Sequence, residues 1–247
     1  MGMLAQKTDR IEKGGCLGGT SSIMKRIGLI NPNTSQATTA MMTDIARLYL
    51  PDGFVIEGVT ARRGVSMILD EEELAAAEDG VISMGLELAG RCDGLIVCAF
   101  GDPGLERLAE MSGLPCVGIC QASMMEASAH GRRFGIATVT PDLVESFFAK
   151  AKALGVASLF TGTRLTAGDP QQLASTPDAL LAALEVAVRQ CFEEDEAEAV
   201  IIGGGPLGQA AEELQRIFPA PVIAPIRSAV EWMVRALPEG QSSTVHG

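Results

Sequence analysis

Histidine is nearly missing from this chain. Only His130 and His246 occur in 247 residues, so an imidazole base or a metal held by several imidazoles lacks its raw material. Aromatic residues make up 4%, which leaves Ala, Gly, Leu and Val to fill the interior. No apolar run approaches the ~18 residues that cross a bilayer, and Met1–Arg10 has no hydrophobic stretch of secretory-leader type. Positive charge is in deficit too. The net charge of −12 comes with no basic stripe, which argues against a nucleic-acid partner. Finally, the six cysteines (16, 92, 98, 116, 120 and 191) form no CxxC pair. Four of them sit in or beside apolar runs, a pattern of small buried thiols in a reducing cytoplasm rather than of disulfides or a metal site.

What is present is a repeat. Arg26-Ile-Gly-Leu-Ile-Asn31 aligns with Arg133-Phe-Gly-Ile-Ala-Thr138, Asp93–Cys98 with Glu198–Gly203, and Leu114–Gly118 with Ala220–Ala224. The offsets are all 105 to 107 residues, far beyond a solenoid unit, and they indicate two copies of one domain. A hydrophobic content of 47% with 20% charged residues suits a globular α/β protein, and the length allows two domains of about 100 residues each.

Short, continuously apolar segments read as strands buried on both faces: Ile27–Ile30, Val55–Val59, Leu95–Cys98, Val117–Ile119, Gly135–Val139, Val200–Ile202 and Val222–Ala224. Segments 35–50, 71–91, 104–111, 142–154, 177–194, 207–217 and 226–237 read as helices. The acidic run Asp70–Glu73 marks a helix start, where carboxylates meet the positive dipole end. Alternating strands and helices make the fold class α/β, with two pseudo-symmetric doubly wound parallel-sheet domains and an interdomain cleft. The expected partition is a disordered leader over 1–23, a first domain over 24–120 plus 226–237, a second over 121–225, and a flexible tail over 238–247.

Four loops follow strands and precede helices at equivalent places in the two copies: Asn31–Ser35, Ala99–Gly104, Thr138–Asp142 and Gly203–Leu207. Ligands of open α/β sheets bind outside the carboxyl ends of the strands. Asn33 or Thr34, Asp102 and Thr140 read as helix caps, and Pro103, Pro141 and Pro206 suit a first turn. Helix starts offer free N–H groups and partial positive charge to a carboxylate or a developing oxyanion. The candidate binding residues in these loops are Asn31, Asn33, Thr34, Ala99, Phe100, Gly101, Asp102, Thr138, Thr140, Gly204, Gly205, Pro206 and Leu207. Asp102 is also a candidate base, and Cys120 a thiol near a strand end; His130, beside Arg132 and Arg133, reads as a surface residue. Gly203-Gly-Gly-Pro206 is no P-loop, since it lacks the lysine.

The segment Arg26-Ile-Gly-Leu-Ile-Asn-Pro-Asn-Thr-Ser35 and the loop Phe100-Gly-Asp-Pro-Gly104 resemble the aspartate/glutamate/hydantoin racemase superfamily, in its hydantoin and allantoin racemase branch. Cys116–Ile119, Arg133-Phe134 and Thr138 agree more loosely, and Gln121 stands where related sequences often carry Glu, which implies a further binding or capping residue. The resemblance spans about 25–237. It implies a cofactor-independent enzyme, a homo-oligomer, and a small-molecule substrate in a cleft between two α/β domains. It also implies two thiols, one on each side of the substrate α-carbon. Here the first position is Ala99, with Cys98 one residue earlier, and the second is Gly204. Cys98 is therefore the candidate catalytic residue, and strand alternation turns it from the cleft unless a bulge intervenes. Three activities remain open: reaction at the α-carbon of a carbonyl-activated substrate through an enolate, one-sided decarboxylation or lysis with a single thiol, and binding without catalysis.

Overall fold

The computed structural model describes residues 24–237; the leader and tail expected at 1–23 and 238–247 lie outside the described residues. Two four-stranded parallel sheets form. The first contains β1 (Lys25–Asn31), β2 (Phe54–Thr60), β3 (Gly94–Val97) and β4 (Cys116–Gly118) in the order β2-β1-β3-β4. The second contains β5 (Phe134–Thr138), β6 (Phe160–Leu165), β7 (Ala199–Ile202) and β8 (Val222–Ile223) in the order β6-β5-β7-β8. The orders correspond strand for strand, as the repeat requires. The strand order reverses between β1 and β3 and again between β5 and β7, so the loops after these four strands converge at two switch points.

The helices are α1 (Gln36–Arg47), α2 (Glu71–Ala76), α3 (Glu78–Ala89), α4 (Leu105–Ser112), α5 (Ile119–Ala127), α6 (Val144–Ala153), α7 (Pro170–Ala174), α8 (Pro177–Glu193), α9 (Gly208–Ile217) and α10 (Pro225–Ala236). They pack in layers. Ile30, Leu95 and Val97 on one face of the first sheet meet Val81, Leu88 and Leu108 of α3 and α4. On its other face Ile27, Leu29 and Ile96 share one cluster with α1, α5 and α10, and with Phe134, Ile136 and Ile201 of the second sheet. The far face of the second sheet is covered by α8 and α9. One apolar core thus runs from sheet to sheet, and burying each large side chain in it, such as Phe134 or Phe147, contributes about 1.5–3 kcal/mol. Helix α10 packs on β3, β4, α1 and α5 of the first half.

Four elements differ from the sequence expectation, one of them the unexpected five-residue α7, which Asp169 caps by accepting from the Gln172 N–H. The helix expected over 71–91 is two helices that meet at Ala77. Strand β6 was not expected, because its half-buried Phe-Thr-Gly-Thr-Arg-Leu has no apolar run; it is an edge strand, covered on neither face as fully as β5 or β7. Helix α5 was not expected either, and its N-terminus explains why. Gly118 supplies no side chain to cap it. The cap comes from Asp102, 18 residues upstream, whose carboxylate accepts from the N–H groups of Cys120 at 2.9 Å and Gln121 at 2.8 Å. A local reading of caps cannot find a distant one.

That cap leaves no space at Gly118, where a Cβ would collide with the Asp102 carboxyl carbon. Gly118→Ala should lower stability by about 3 kcal/mol, the upper end for overpacking, read as a fall in the guanidinium midpoint. Gly80→Ala, at an exposed position of α3 with open space around it, should instead raise stability by about 0.5–1 kcal/mol. Equal midpoints for the two variants would show that the packing of Asp102 against β4 is not the constraint described.

Candidate active site

The loops after β1, β3, β5 and β7 enclose a cleft of about 470 Å³ between the two sheets. Ser35 caps α1 by accepting from the Thr38 N–H at 3.2 Å, and the next turn of α1 puts Thr38 and Met41 on the cleft wall. The β3 loop contributes Cys98, Ala99 and Phe100, the β5 loop Val139, Thr140 and Leu143, and the glycine loop Gly203, Gly204, Gly205 and Leu207. Two further segments close the mouth. Ser66, Met67 and Ile68 come from the stretch between β2 and α2, and Gln171 comes from α7. No Asp, Glu, Lys or Arg side chain lines the cleft among the described residues. Its polar groups are amides and hydroxyls, and Met41, Leu74, Leu143 and Leu180 form an apolar wall.

Of the residues expected at the site, Asn33, Cys98, Ala99, Phe100, Thr140, Gly204, Gly205 and Leu207 line this cleft. The others lie behind it. Asn31 is fully buried and donates from Nδ2 to Asn33 Oδ1 at 2.9 Å. Thr138, also fully buried, donates to the Gly203 carbonyl at 2.6 Å. Thr34 donates from its N–H and its hydroxyl to the Val65 carbonyl, at 2.9 and 3.2 Å, and so pins the 61–69 stretch over the cleft. Gly101 has φ +145 and sits against Leu74, Gln121 is held through its N–H by Asp102, and Pro206 belongs to the short 3-10 turn Gly205–Leu207. Cys120 is buried beneath Asp102 and lines nothing; His130 is exposed, at φ +61 in a tight turn. The capping assignments change too. The side chain that caps α1 is Ser35, Asp102 caps α5 rather than the helix that follows it, and Thr140 makes no capping hydrogen bond.

Asp102 is 2% exposed at φ +54 and is a junction rather than an open base. Besides the two N–H groups of α5 it faces Lys150 of α6, at 3.3 Å, so it links the β3 loop of one sheet to a helix of the other. Burial pushes its carboxyl up to about 6, against the pull of Lys150 and the two amides. Burial acts on Lys150 in the opposite sense, yet the carboxylates of Asp102 and Glu106 outweigh it and hold the ammonium above its ordinary value.

Cys98 continues the β3 ladder, its N–H donating to Ile30 at 2.8 Å. No bulge interrupts β3 against either neighbour, and the side chain joins Ile96, Met42 and Ile119 in the core cluster. Contrary to the expectation from strand alternation, it needs no bulge to reach the cleft floor, because the face it shares with Ile96 is the one turned toward Phe134, Ile136 and Ile201 of the second sheet. It is 3% exposed there, its S–H aimed at the Ile96 carbonyl 3.9 Å away. Burial, with Asp102 adding to it, pushes the thiol well above its ordinary value, which favours the thiol over the thiolate at neutral pH. Across from it Gly205 packs so closely that a Cβ would lie 2.7 Å from Met42 Sδ and 3.6 Å from the Cys98 carbonyl oxygen. Ala99 N–H, Phe100 N–H and Gly205 N–H have no protein acceptor among the described residues.

Sequence reasoning placed Ser35 in a cleft loop without a role and missed Thr38, Met41, Ser66, Met67, Ile68, Leu74, Leu143, Gln171 and Leu180. The repeat carried a usable signal for two of them: Ser66 and Gln171 stand 105 residues apart, the same offset as the paired strands, and both follow an edge strand.

Two parallel-sheet lobes that aim four strand–helix loops at one cleft, uncharged among the described residues, define a pseudo-twofold α/β protein with a cavity of small-molecule size. The chain belongs to the Asp/Glu/hydantoin racemase family, whose model matches residues 27–233, a family of racemases and isomerases. It is 27% identical over 207 residues to the hydantoin racemase of Paenarthrobacter aurescens, covering 83% of this chain and 87% of that one. The allantoin racemase of Klebsiella pneumoniae superposes with a TM-score of 0.81 at 26% identity, covering 89% of this chain and 91% of its own. Arylmalonate decarboxylase shares the fold, with a TM-score of 0.62 at 21% identity over 88% of this chain and 94% of that one.

Lys150→Met removes the partner of a buried carboxylate and should cost about 3 kcal/mol at pH 8. The folded value of Asp102, about 6, already lies above the ordinary 3.8, so this group favours the folded state below pH 4 and loses that contribution as pH rises through 6. Without Lys150 the folded value rises further. The loss of stability should therefore be smaller at pH 5, where the carboxyl protonates, than at pH 8. Chemical denaturation at the two pH values measures it, and a loss that is equal or larger at pH 5 would refute the pairing.

Proposed function

We propose that this protein acts at the carbon α to a carbonyl in a small, uncharged, cyclic ureide or amide substrate. The substrate lies between a first domain (24–120 plus 226–237) and a second (121–225), in a cytoplasmic homo-oligomer. The observation that carries this reading is the composition of the cleft in a chain of this family: amide N–H groups, Asn33, Thr140 and hydroxyls on one side, apolar side chains on the other, and no fixed charge. Unused N–H groups at Ala99, Phe100 and Gly205 suit a carbonyl oxygen that gains negative charge as an enolate forms, because preorganised donors stabilise charge best where water is excluded. Relatives named hydantoin racemase and allantoin racemase support a ureide ring.

Cys98 is the one titratable side chain on the lining among the described residues, and its protonated state suits delivery of a proton to the α-carbon from the floor of the cleft. Among the described residues no second thiol faces it, since the opposite position is Gly204. This asymmetry favours a second reading, one-sided protonation of an enolate left by loss of CO₂, for which one acid suffices.

The test is turnover in deuterated buffer with one enantiomer of a 5-substituted hydantoin, one of allantoin, and an arylmalonate. Racemisation with α-deuterium in both enantiomers supports the first reading, and CO₂ release with deuterium on one face supports the second. Ligand-induced stabilisation without either reaction would make the protein a binder. Cys98→Ser should lower turnover at least about 100-fold, the scale of general acid catalysis, with an unchanged melting profile. Turnover that survives the substitution removes Cys98 from the mechanism.

A further inference from the structure

Behind the cleft, the two lobes carry matching hydrogen-bond relays whose direction is set by backbone groups. In the first lobe the N–H of Asn33 donates to Asn31 Oδ1 at 3.2 Å. A backbone N–H can only donate, so this contact settles which end of the Asn31 amide is oxygen, and Nδ2 therefore points at Asn33 Oδ1, 2.9 Å away. The N–H of Ser35 donates to the same Asn33 oxygen at 2.9 Å. With its oxygen engaged twice, Asn33 turns its Nδ2 hydrogens to the cleft, and they meet no protein acceptor among the described residues. Asn31 is itself locked, donating also to Thr39 Oγ1 at 2.9 Å.

The second lobe uses the equivalent positions. The Gly203 carbonyl can only accept, so the single hydroxyl hydrogen of Thr138 is committed to it at 2.6 Å. Thr138 and Thr140 hydroxyls lie 3.1 Å apart, and Thr138 has no hydrogen left for that contact. Thr140 must donate to Thr138, as its own N–H also does at 3.4 Å. What Thr140 then offers the cleft is a lone pair.

We propose that Asn31 and Thr138 are positioning residues that assign opposite hydrogen-bond polarity to the two walls: a fixed donor at Asn33 and a fixed acceptor at Thr140. This rests on the cleft being the substrate site. A ligand edge that carries both a carbonyl and an N–H matches both walls. A carboxylate, which only accepts, satisfies Asn33 and sets its lone pairs against those of Thr140.

Two measurements on the full chain test this, and the first needs no ligand. In NMR of the labelled protein the Asn31 side-chain amide protons should be protected from exchange and those of Asn33 should exchange fast, with a slowly exchanging Thr138 hydroxyl coupled across its hydrogen bond to the Gly203 carbonyl. A protected Asn33 amide beside an exchanging Asn31 overturns the proposal. The second is calorimetry with hydantoin, 1-methylhydantoin and 3-methylhydantoin. Methylating the nitrogen that faces Thr140 should weaken binding about 10-fold, the scale of one lost neutral hydrogen bond. In Thr138→Val this discrimination should fall to within about two-fold, and Thr138→Ser should keep it. Full discrimination in a folded Thr138→Val protein overturns the proposal. Should that variant not fold, Asn33→Asp reads the other wall, where hydantoin affinity should fall about 10-fold on replacing the donor by an acceptor, and unchanged affinity would count against it. The expected exchange pattern without hydantoin binding would uphold the relays and reject the ureide substrate.

Discussion

A single buried carboxylate holds this architecture in register. Asp102 leaves the β3 loop of one lobe, caps α5 and meets Lys150 of the other lobe. The helix it caps carries Ile119, whose side chain packs beneath Gly205 of the glycine loop. Any displacement of Asp102 therefore moves the floor, one wall and the second lobe together. Such a charge is costly to bury, and a pairing of Lys150 with two amides offsets the cost only in one geometry. An apolar contact would tolerate sliding between the lobes. This junction does not, and Phe100 stacked edge-on against Phe147 at 5.1 Å reinforces the same seam from the cleft side.

The duplication is symmetric in backbone and asymmetric in chemistry. Strand orders, loop positions and even the two-residue spacing of the relays correspond between halves. The side chains do not. One lobe presents an asparagine amide where the other presents a threonine hydroxyl, and the first lobe places a cysteine at the floor where the second has three glycines. A pseudo-twofold cleft with identical walls would suit a substrate of matching symmetry. Divergent walls suit an asymmetric ligand held in one orientation, and for the substrate proposed above that orientation would decide which face of the α-carbon meets the thiol.

How much of this could be read from the chain alone follows the range of the interactions. Strands such as Ile27–Ile30 and Val200–Ile202 were legible because burial on both faces writes itself as continuous apolarity. Strand β6 was not, since an edge strand is selected by pairing with β5 and not by its own composition. The cleft loops were legible from the repeat. The roles within them were not: Asn31 and Asn33 are one residue apart from being neighbours, yet one is sealed behind the other, and only the direction of their hydrogen bonds separates the one that positions from the one that faces the ligand. Asp102 looked like a local cap and proved to cap a helix 18 residues onward, a relation that no local pattern encodes.

The absence of fixed charge on the cleft lining shapes the chemistry more than the lone thiol does. Among the described residues no cation lines the cleft to lower the Cys98 thiol toward a thiolate, and burial beside Asp102 moves it the other way. A group held in that state gives up a proton only to a strong base such as a carbanion or enolate. Under the proposed function the cleft generates that base before Cys98 acts, and the donors proposed to stabilise it are the N–H groups of Ala99, Phe100 and Gly205 with the Asn33 amide. Stabilisation by dipoles in a water-poor cleft favours charge that is delocalised onto a carbonyl oxygen within their reach, and disfavours charge left on carbon. For the one-sided reading proposed above the order of events follows: the carbonyl is gripped first, the bond to the departing CO₂ breaks while its electrons move to oxygen, and the Cys98 thiol delivers its proton to the α-carbon last.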